Sequence, residues 1–458
     1  MNLSLAFTEL ADRYGARFTT HDSVRAQHGC GESNVTLMPP DAVLWPLSTA
    51  EVADIVRTCV RHRVPMIPYG AGTSLEGHVA AVHGGVCIDL SRMDAVLSCA
   101  PEDLDCTVQP GLTREGLNHY LRDTGLFFPV DPGANATLGG MVSTRASGTT
   151  TIRYGGMSAN VLALEVVTPQ GEIVRCGTRA RKSSAGYDLV HLFTGAEGTL
   201  GIITAVTVRL SPRPESIGTL TCAYPSLRNA VNTVIELVQS GAPLARMEFL
   251  DAVQVRACNQ YSQLNLEELP TLFIEFHGTL AAVQEQLVRA TAIVASHGAS
   301  SVASTTDEAE LTRLWRARHQ AYHAGRALRP GADCVTADVC VPVSHLADQV
   351  TAARQDLDAA GLLATIVGHV GDGNFHVLFL IDPTAATEFA RMHQVYDRMI
   401  ERAQAAGGTC TGEHGIGLGK RHQLLAEYGS GTLALMRAVK QAWDPLGLMN
   451  PGKIFIDP

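Results

Sequence analysis

The chain has 458 residues, 46% of them hydrophobic, which is too long for one compact core and points to two or three domains. Its 45 acids against 35 Lys and Arg give a net charge of −10, which argues against a phosphate backbone or an anionic bilayer as the main partner. The 11 cysteines are odd in number and form no C-x-x-C pair, so neither a disulfide framework nor an iron–sulfur site is expected, and a reducing compartment fits best.

The first segment, "MNLSLAFTELADRYGARF", has apolar residues at helical spacing and reads as the start of a lead-in over residues 1–37. It is too polar for a signal peptide, and Glu9 and Asp12 stand where a mitochondrial transit segment avoids acids. No apolar run approaches the roughly eighteen residues of a membrane span. A cytoplasmic location is expected, with at most peripheral rest on the inner membrane.

From residue 38 to 215 helix-like and strand-like segments alternate between Gly and Pro breaks, an α+β pattern. "TAEVADIVRTCVRHRV" predicts an amphipathic helix, and "PMIPYGAGTSLEG" a strand running into a glycine loop. "LALEVVTPQGEIVR" predicts a hairpin turning at Gln170 and Gly171. Residues 216–400 restart the pattern with two strand–helix units, "TLTCAYP" with "SLRNAVNTVIELVQSG" and "TLFIEFHG" with "AAVQEQLVRATAIVASHG". They predict a separate sheet covered by helices on one face. Residues 401–458 read as mostly helical.

Gly70 and Gly72 invite a dinucleotide-fold reading, with Asp89 where a ribose-binding acid might stand. That reading fails, because Leu75 occupies the third glycine position and "HVAAVHGG" opens no helix. A second loop, "DPGANATLGGMVSTRASGTTTIRYG", is built of small residues that let backbone N–H groups approach a large anionic ligand. "GAEGTLGIITAVTV" is a third. Singly each is a tight turn; three on one domain point to a ligand.

"GHVGDGNFH" sets His369 and His376 seven residues apart around a Gly-Asp-Gly turn that can aim both imidazoles at one place. With the carboxylate of Glu413 they form a two-His, one-carboxylate set suited to a divalent ion. Spacing alone leaves metal and non-metal readings open.

These residues carry a resemblance. "PYGAGTSLEG", "PGANATLGGM" with "RYG", and "FTGAEGTLGIIT" resemble the flavin-binding domain of the vanillyl-alcohol oxidase and p-cresol methylhydroxylase superfamily. "GHVGDGNFHVLFLIDP", "CTGEHGIGLGK" and "LMNPGKIF" are similar to the FAD-linked D-2-hydroxyacid dehydrogenases of the D-lactate dehydrogenase (cytochrome) type. The resemblance implies an α+β chain: a two-subdomain FAD-binding domain of the p-cresol methylhydroxylase type, a substrate (cap) domain with an antiparallel sheet, and a helical C-terminal segment. It implies FAD contacts from Pro68, Gly70, Ala71, Gly72, Thr73, Ser74 and Gly77. The second loop would add Pro132, Gly133, Thr137, Gly139, Gly140, Ser143, Ser147, Gly148, Tyr154 and Gly155. Glu197, Gly201, Ile202 and Asn450 complete that set. Position 73 is Thr and 74 Ser, and His78 reads as structural, so FAD is expected to be noncovalent.

The resemblance also implies one divalent metal, zinc, manganese or iron, on His369, His376 and Glu413, with His414 as general base and Arg318 clamping the substrate carboxylate. Relatives acting on D-2-hydroxyglutarate place a Thr four residues after that Arg and a Lys further on. This chain has Tyr322, and Thr336 in "CVTADVCVP". The missing cation favours a short or apolar side chain, as in D-lactate, over a dicarboxylate; glycolate, D-2-hydroxyglutarate and longer D-2-hydroxyacids are the alternatives. With no second nucleotide site, electrons would leave for a cytochrome, a quinone or an electron-transfer protein. A homodimer is compatible with this reading. Two rivals remain: a non-catalytic flavin-binding subunit, which should lack the His-His-Glu-His set, and a metal-dependent hydrolase, which leaves three glycine loops without a task.

Overall fold

The computed structural model describes residues 2–29, 31–32 and 36–456. The chain forms two compact units. The first comprises Met1–Ser147, Gly155–Arg213 and Glu413–Pro458, the second Gly148–Tyr154 and Pro214–Gly412.

In the first unit a small sheet places Val86–Asp89 between Ala42–Leu44 and Met66–Tyr69, parallel to both, with Phe18–Thr19 as an antiparallel edge. Val86–Asp89 is buried along its whole length, as a central parallel strand covered on both faces must be. Helix Thr49–His62 shares a buried cluster with it. Ser48 caps this helix by accepting from Glu51 N at 3.3 Å, and Val52, Ile55, Val56 and Cys59 recur at the spacing that makes one buried face. The helix ends where Arg63 turns left-handed.

A five-stranded antiparallel sheet forms the other half of this unit, in the order Val96–Ala100, Asp105–Val108, Ile202–Arg209, Val161–Val167, Ile173–Gly177. The expected hairpin is its far edge, and Gly171 takes the positive φ that its turn requires. After helix Arg421–Trp443 the chain comes back as an irregular tail, not a helix. Met66 N donates to Leu448 O and Asn450 N to Met66 O, both at 2.8 Å, so the tail lies along the edge strand Met66–Tyr69.

The second unit is a seven-stranded antiparallel sheet ordered Ser301–Thr305, Ser216–Ala223, Thr271–Gly278, Leu244–Leu250, Ala364–Gly368, Asn374–Ile381, Asp333–Cys340. Helices Leu227–Gln239 and Leu280–Ser296 realise the two expected strand–helix units. Leu250, Phe273, Leu314 and Trp315 belong to one of its buried clusters.

The units divide differently from the boundaries read off composition. Helix Ala386–Ala405 runs unbroken through position 400, and the second unit continues to Gly412. Residues 148–154, inside the second glycine loop, also belong to the second unit: a Cβ on Gly371 would stand 2.3 Å from Ile152 Cδ1. Composition carries no mark of either event, because both are settled by packing between distant segments.

Candidate functional site

The first and third glycine loops and residues 131–147 of the second converge within the first unit. The 70–77 loop leaves strand Met66–Tyr69, and Gly72 and Gly77 adopt positive φ. A Cβ on Gly70 would fall 2.2 Å from Thr137 Oγ1, so bareness there lets the first loop meet the second. Gly198 stands against Pro68 and Asn450: an added Cβ would lie 3.2 Å from Pro68 Cγ and 3.6 Å from Asn450 Nδ2. The third loop and the C-terminal tail therefore meet the first at one place.

Packing by itself requires some glycines of these loops. Gly139 is bare because Pro110 Cβ would be 2.6 Å from its Cβ, and Gly201 because Val166 Cγ1 would be 2.7 Å away. Gly133 is different: it is exposed, and a Cβ there would meet nothing within 4 Å. Ser143 spends its hydroxyl on Gly139 O, and Ile202 is the buried first residue of strand Ile202–Arg209.

Glu197 is buried, and its carboxylate accepts from Ile416 N at 2.7 Å and Gly417 N at 2.8 Å, with His78 Nε2 3.3 Å away. Burial works to raise its pKa, but the His78 imidazole and the two amides hold it below the ordinary carboxylate range. Its carboxylate thus grips the loop that carries Glu413 and His414. The glycines of that loop are explained by the same grip. Gly415, at φ +79°, would place a Cβ 2.8 Å from both Glu197 Oε1 and His78 Nε2, and Gly417, at φ +48°, one 2.1 Å from Glu76 O. Ser147 donates to Glu413 Oε2 at 2.8 Å, and His414 Nε2 lies 3.9 Å from Glu413 Oε1.

Asn450 has positive φ and donates Nδ2 to His78 O at 3.1 Å and to Glu197 O at 2.8 Å. Lys440 Nζ braces the tail, bonding Thr199 O at 2.7 Å and Met449 O at 2.9 Å. Asp89 accepts from Trp45 Nε1 and Ser91 N and faces His28 Nε2, so its carboxylate is committed to clamping the fold.

In the second unit the short turn Val370–Asp372, with Gly373 left-handed after it, brings the His369 and His376 rings to 5.3 Å between centroids. Each has a buried carboxylate behind it. Glu248 Oε1 takes His369 Nδ1 at 2.8 Å, and Asp338, directly opposite His376 across the strand pair, stands 3.4 Å from His376 Nδ1. Asp338 Oδ2 also accepts from Thr411 Oγ1 at 2.9 Å and Gly412 N at 2.8 Å, fixing the chain immediately before Glu413. Arg318, on the last turn of helix Glu308–His319, is 8% exposed and pairs through Nη2 with Glu248 Oε2. Tyr154 OH bonds His277 Nδ1 at 2.8 Å, and His277 Nε2 bonds Glu275 Oε1 at 2.7 Å. Gly148 N bonds Thr151 Oγ1 in the same segment.

Sequence reasoning missed Glu248, Asp338, Glu275 and His277. The signal was present: each of these acids stands in a largely apolar run, "LARMEFL", "CVTADVC" or "TLFIEFHG". A carboxylate in such a run is costly unless it serves a partner.

The residues of the first unit fit a flavin nucleotide. Ser74 Oγ, Thr137 Oγ1 and Asn450 Oδ1 are buried with no hydrogen-bond partner among the described residues, and Gly133 leaves open space that packing does not demand. The paired imidazoles of the second unit, each backed by a carboxylate, fit a divalent metal by donor chemistry.

Residues 40–177 match the FAD binding domain, and residues 213–454 match the C-terminal domain of the FAD linked oxidases. The probable D-lactate dehydrogenase, mitochondrial, of Danio rerio is 48% identical, covering 94% of this chain and 88% of its own. The D-lactate dehydrogenase [cytochrome], mitochondrial, of Arabidopsis thaliana is 43% identical over 91% of this chain and 73% of its own. Glycolate oxidase subunit GlcD of Bacillus subtilis (strain 168) is 35% identical over 91% and 89%. Among solved structures, 4-ethylphenol oxidase from Gulosibacter chungangensis superposes with a TM-score of 0.79 at 19% identity, covering 99% of this chain and 97% of that one. p-Cresol methylhydroxylase gives 0.77 at 18%, covering 100% and 98%. These two establish the fold alone. No helix among the described residues is long and apolar enough to cross a membrane.

Proposed function

The chain belongs to the FAD linked oxidases, and from that premise we propose that it oxidises a D-2-hydroxyacid, D-lactate to pyruvate, with FAD and one divalent metal. One observation carries the substrate class: Glu248 holds Arg318 with one oxygen and His369 with the other. A cation for a carboxylate and a ligand for a hydroxyl-binding ion are thereby set side by side, as the vicinal groups of a 2-hydroxyacid require. Arg318 Nε, buried with no partner among the described residues, supports this reading.

When bound, FAD supplies the acceptor for the C2 hydride and the ion supplies Lewis acidity at the substrate hydroxyl. In this reading His369, His376 and Glu413, the set that the sequence resemblance implies, would hold the ion. Arg318 fixes the substrate carboxylate through its fork of donors. His414 accepts the hydroxyl proton as the general base. Loss of that proton together with the C2 hydride leaves the 2-oxoacid. Pro68, Gly70–Ser74, Gly77, Pro132, Gly133, Thr137 and Asn450 would hold the dinucleotide without a covalent link. The electrons pass on to a cytochrome, a quinone or an electron-transfer protein, in keeping with the cytochrome-linked relative.

Glycolate is the second reading, favoured by the GlcD relative. Anaerobic addition of D-lactate, L-lactate, glycolate or D-2-hydroxyglutarate to the metal-replete flavoprotein separates them. Bleaching of the visible flavin band by D-lactate is expected. Bleaching by glycolate alone replaces the substrate, and a flavin untouched by any of the four overturns the proposal.

A further inference from the structure

We propose that Glu248 is the positioning residue of this site, coupling the arginine that clamps the substrate carboxylate to a histidine that binds the metal; the inference rests on the function proposed above. Glu248 is fully buried in strand Leu244–Leu250, among Leu244, Ala245, Met247, Phe249 and Leu250. A carboxylate in such surroundings is stable only when both oxygens are satisfied. Both are, and by partners from other elements: Arg318 comes from helix Glu308–His319, and His369 follows strand Ala364–Gly368, whose Gly368 pairs with Phe249. Three elements of the second unit therefore meet at one side chain.

Two consequences follow from elementary chemistry. A carboxylate that accepts from His369 Nδ1 makes that nitrogen the protonated one, so the lone pair sits on Nε2, the ring is fixed in orientation, and its basicity as a ligand rises. The other oxygen fixes one Nη of Arg318 and so the plane of the guanidinium. Arg318 Nε is left buried without a partner among the described residues, which an incoming carboxylate can remedy. Because a carboxylate is rigid, the spacing between the two grips is set by Glu248 itself.

A merely structural ion pair would not need this arrangement. Replacing a buried pair by packed apolar side chains is often neutral or stabilising, so a buried acid joined to two chemically active partners is better explained by what it holds in place.

The test uses the full chain with FAD bound and compares wild type with Glu248→Gln, of equal shape but with a donor in place of one oxygen, and Glu248→Asp, which keeps the charge and shortens the reach. Flavin content, zinc affinity by chelator competition, and KM and kcat for D-lactate with an artificial acceptor are measured. In Glu248→Gln the flavin content is expected to stay that of wild type, zinc affinity to fall about 10- to 100-fold, and KM to rise about tenfold or more, as for loss of a charge-assisted bond. Glu248→Asp is expected to fold as wild type and still show both defects. If Glu248→Gln gives no folded protein, Glu248→Asp decides by the same two constants. Wild-type zinc affinity and KM in the folded variant, or a loss of thermal stability with both constants unmoved, overturns the proposal. Wild-type turnover is read separately. If the wild-type chain binds zinc but oxidises no 2-hydroxyacid, the functional reading fails, while the zinc affinity of Glu248→Gln still decides whether the acid positions His369.

Discussion

Asn450, eight residues from the end of the chain, donates its side-chain amide to the backbone carbonyl of Glu197 at 2.8 Å. The same amide reaches His78 O, so one side chain ties the tail to two flavin-side loops. Asn450→Ala leaves both buried carbonyls without that donor and should cost about 2–4 kcal/mol, at roughly 1–3 kcal/mol per unsatisfied group less relaxation. The flavin-to-protein ratio after gel filtration should fall with the melting temperature; a variant that keeps both at wild-type values refutes this role.

Gly415→Ala should be more severe than an ordinary surface change. It imposes a side chain at φ +79° and drives a Cβ to 2.8 Å from Glu197 Oε1 and His78 Nε2. The strain alone is about 1–3 kcal/mol, and the loop must also shift, carrying His414 with it. Turnover should drop at least tenfold while FAD remains bound. Unaltered kcat would show that His414 tolerates displacement and is not the base.

Removal of the divalent ion should separate metal from flavin chemistry. Dialysis against a strong chelator is expected to abolish reduction by D-lactate while the visible flavin spectrum stays. Zinc or manganese should restore it in wild type and fail to do so in His376→Ala. Full activity of the chelated enzyme would exclude the metal.

Lys453 provides a pH signature. Its ammonium is buried, donating to Ala80 O at 2.6 Å. Burial lowers its pKa from 10.5 to about 8; the charge of Glu197 opposes this shift and Arg421 adds to it. Between those values the unfolded chain holds a proton that the folded chain has shed, so this lysine makes stability rise with pH. At about 1.36 kcal/mol per pH unit the rise is at most ~3 kcal/mol. Measured against Lys453→Met by denaturant melts from pH 7 to 10.5, wild type should gain relative stability across that window. A constant difference would show that Lys453 titrates normally.

Much of the framework was legible in the sequence because it is local. The helix Thr49–His62, the hairpin around Gly171, and the turn that brings His369 and His376 together each depend on residues within a few positions, where periodicity and glycine chemistry act directly. The dinucleotide decoy could also be rejected locally, and Asp89 clamps Trp45 and Ser91 instead. What could not be read were the partners of buried charges. Glu248 and Asp338 looked like interruptions in apolar strands, since nothing near them in the chain names Arg318, His369 or His376 as what they hold.

By itself the sequence determined an acidic α+β flavoprotein chain, its glycine loops, and the turn that sets His369 and His376 near one another. Folding alone decided which glycines, like Gly139 and Gly201, must be bare for neighbouring segments to pack. It also decided that residues 148–154 belong to the second unit and that Glu197 spends its carboxylate on the loop of His414. The reason is physical: propensity and spacing act over one or two turns of chain, whereas desolvation forces each buried charge to find a partner wherever packing brings one.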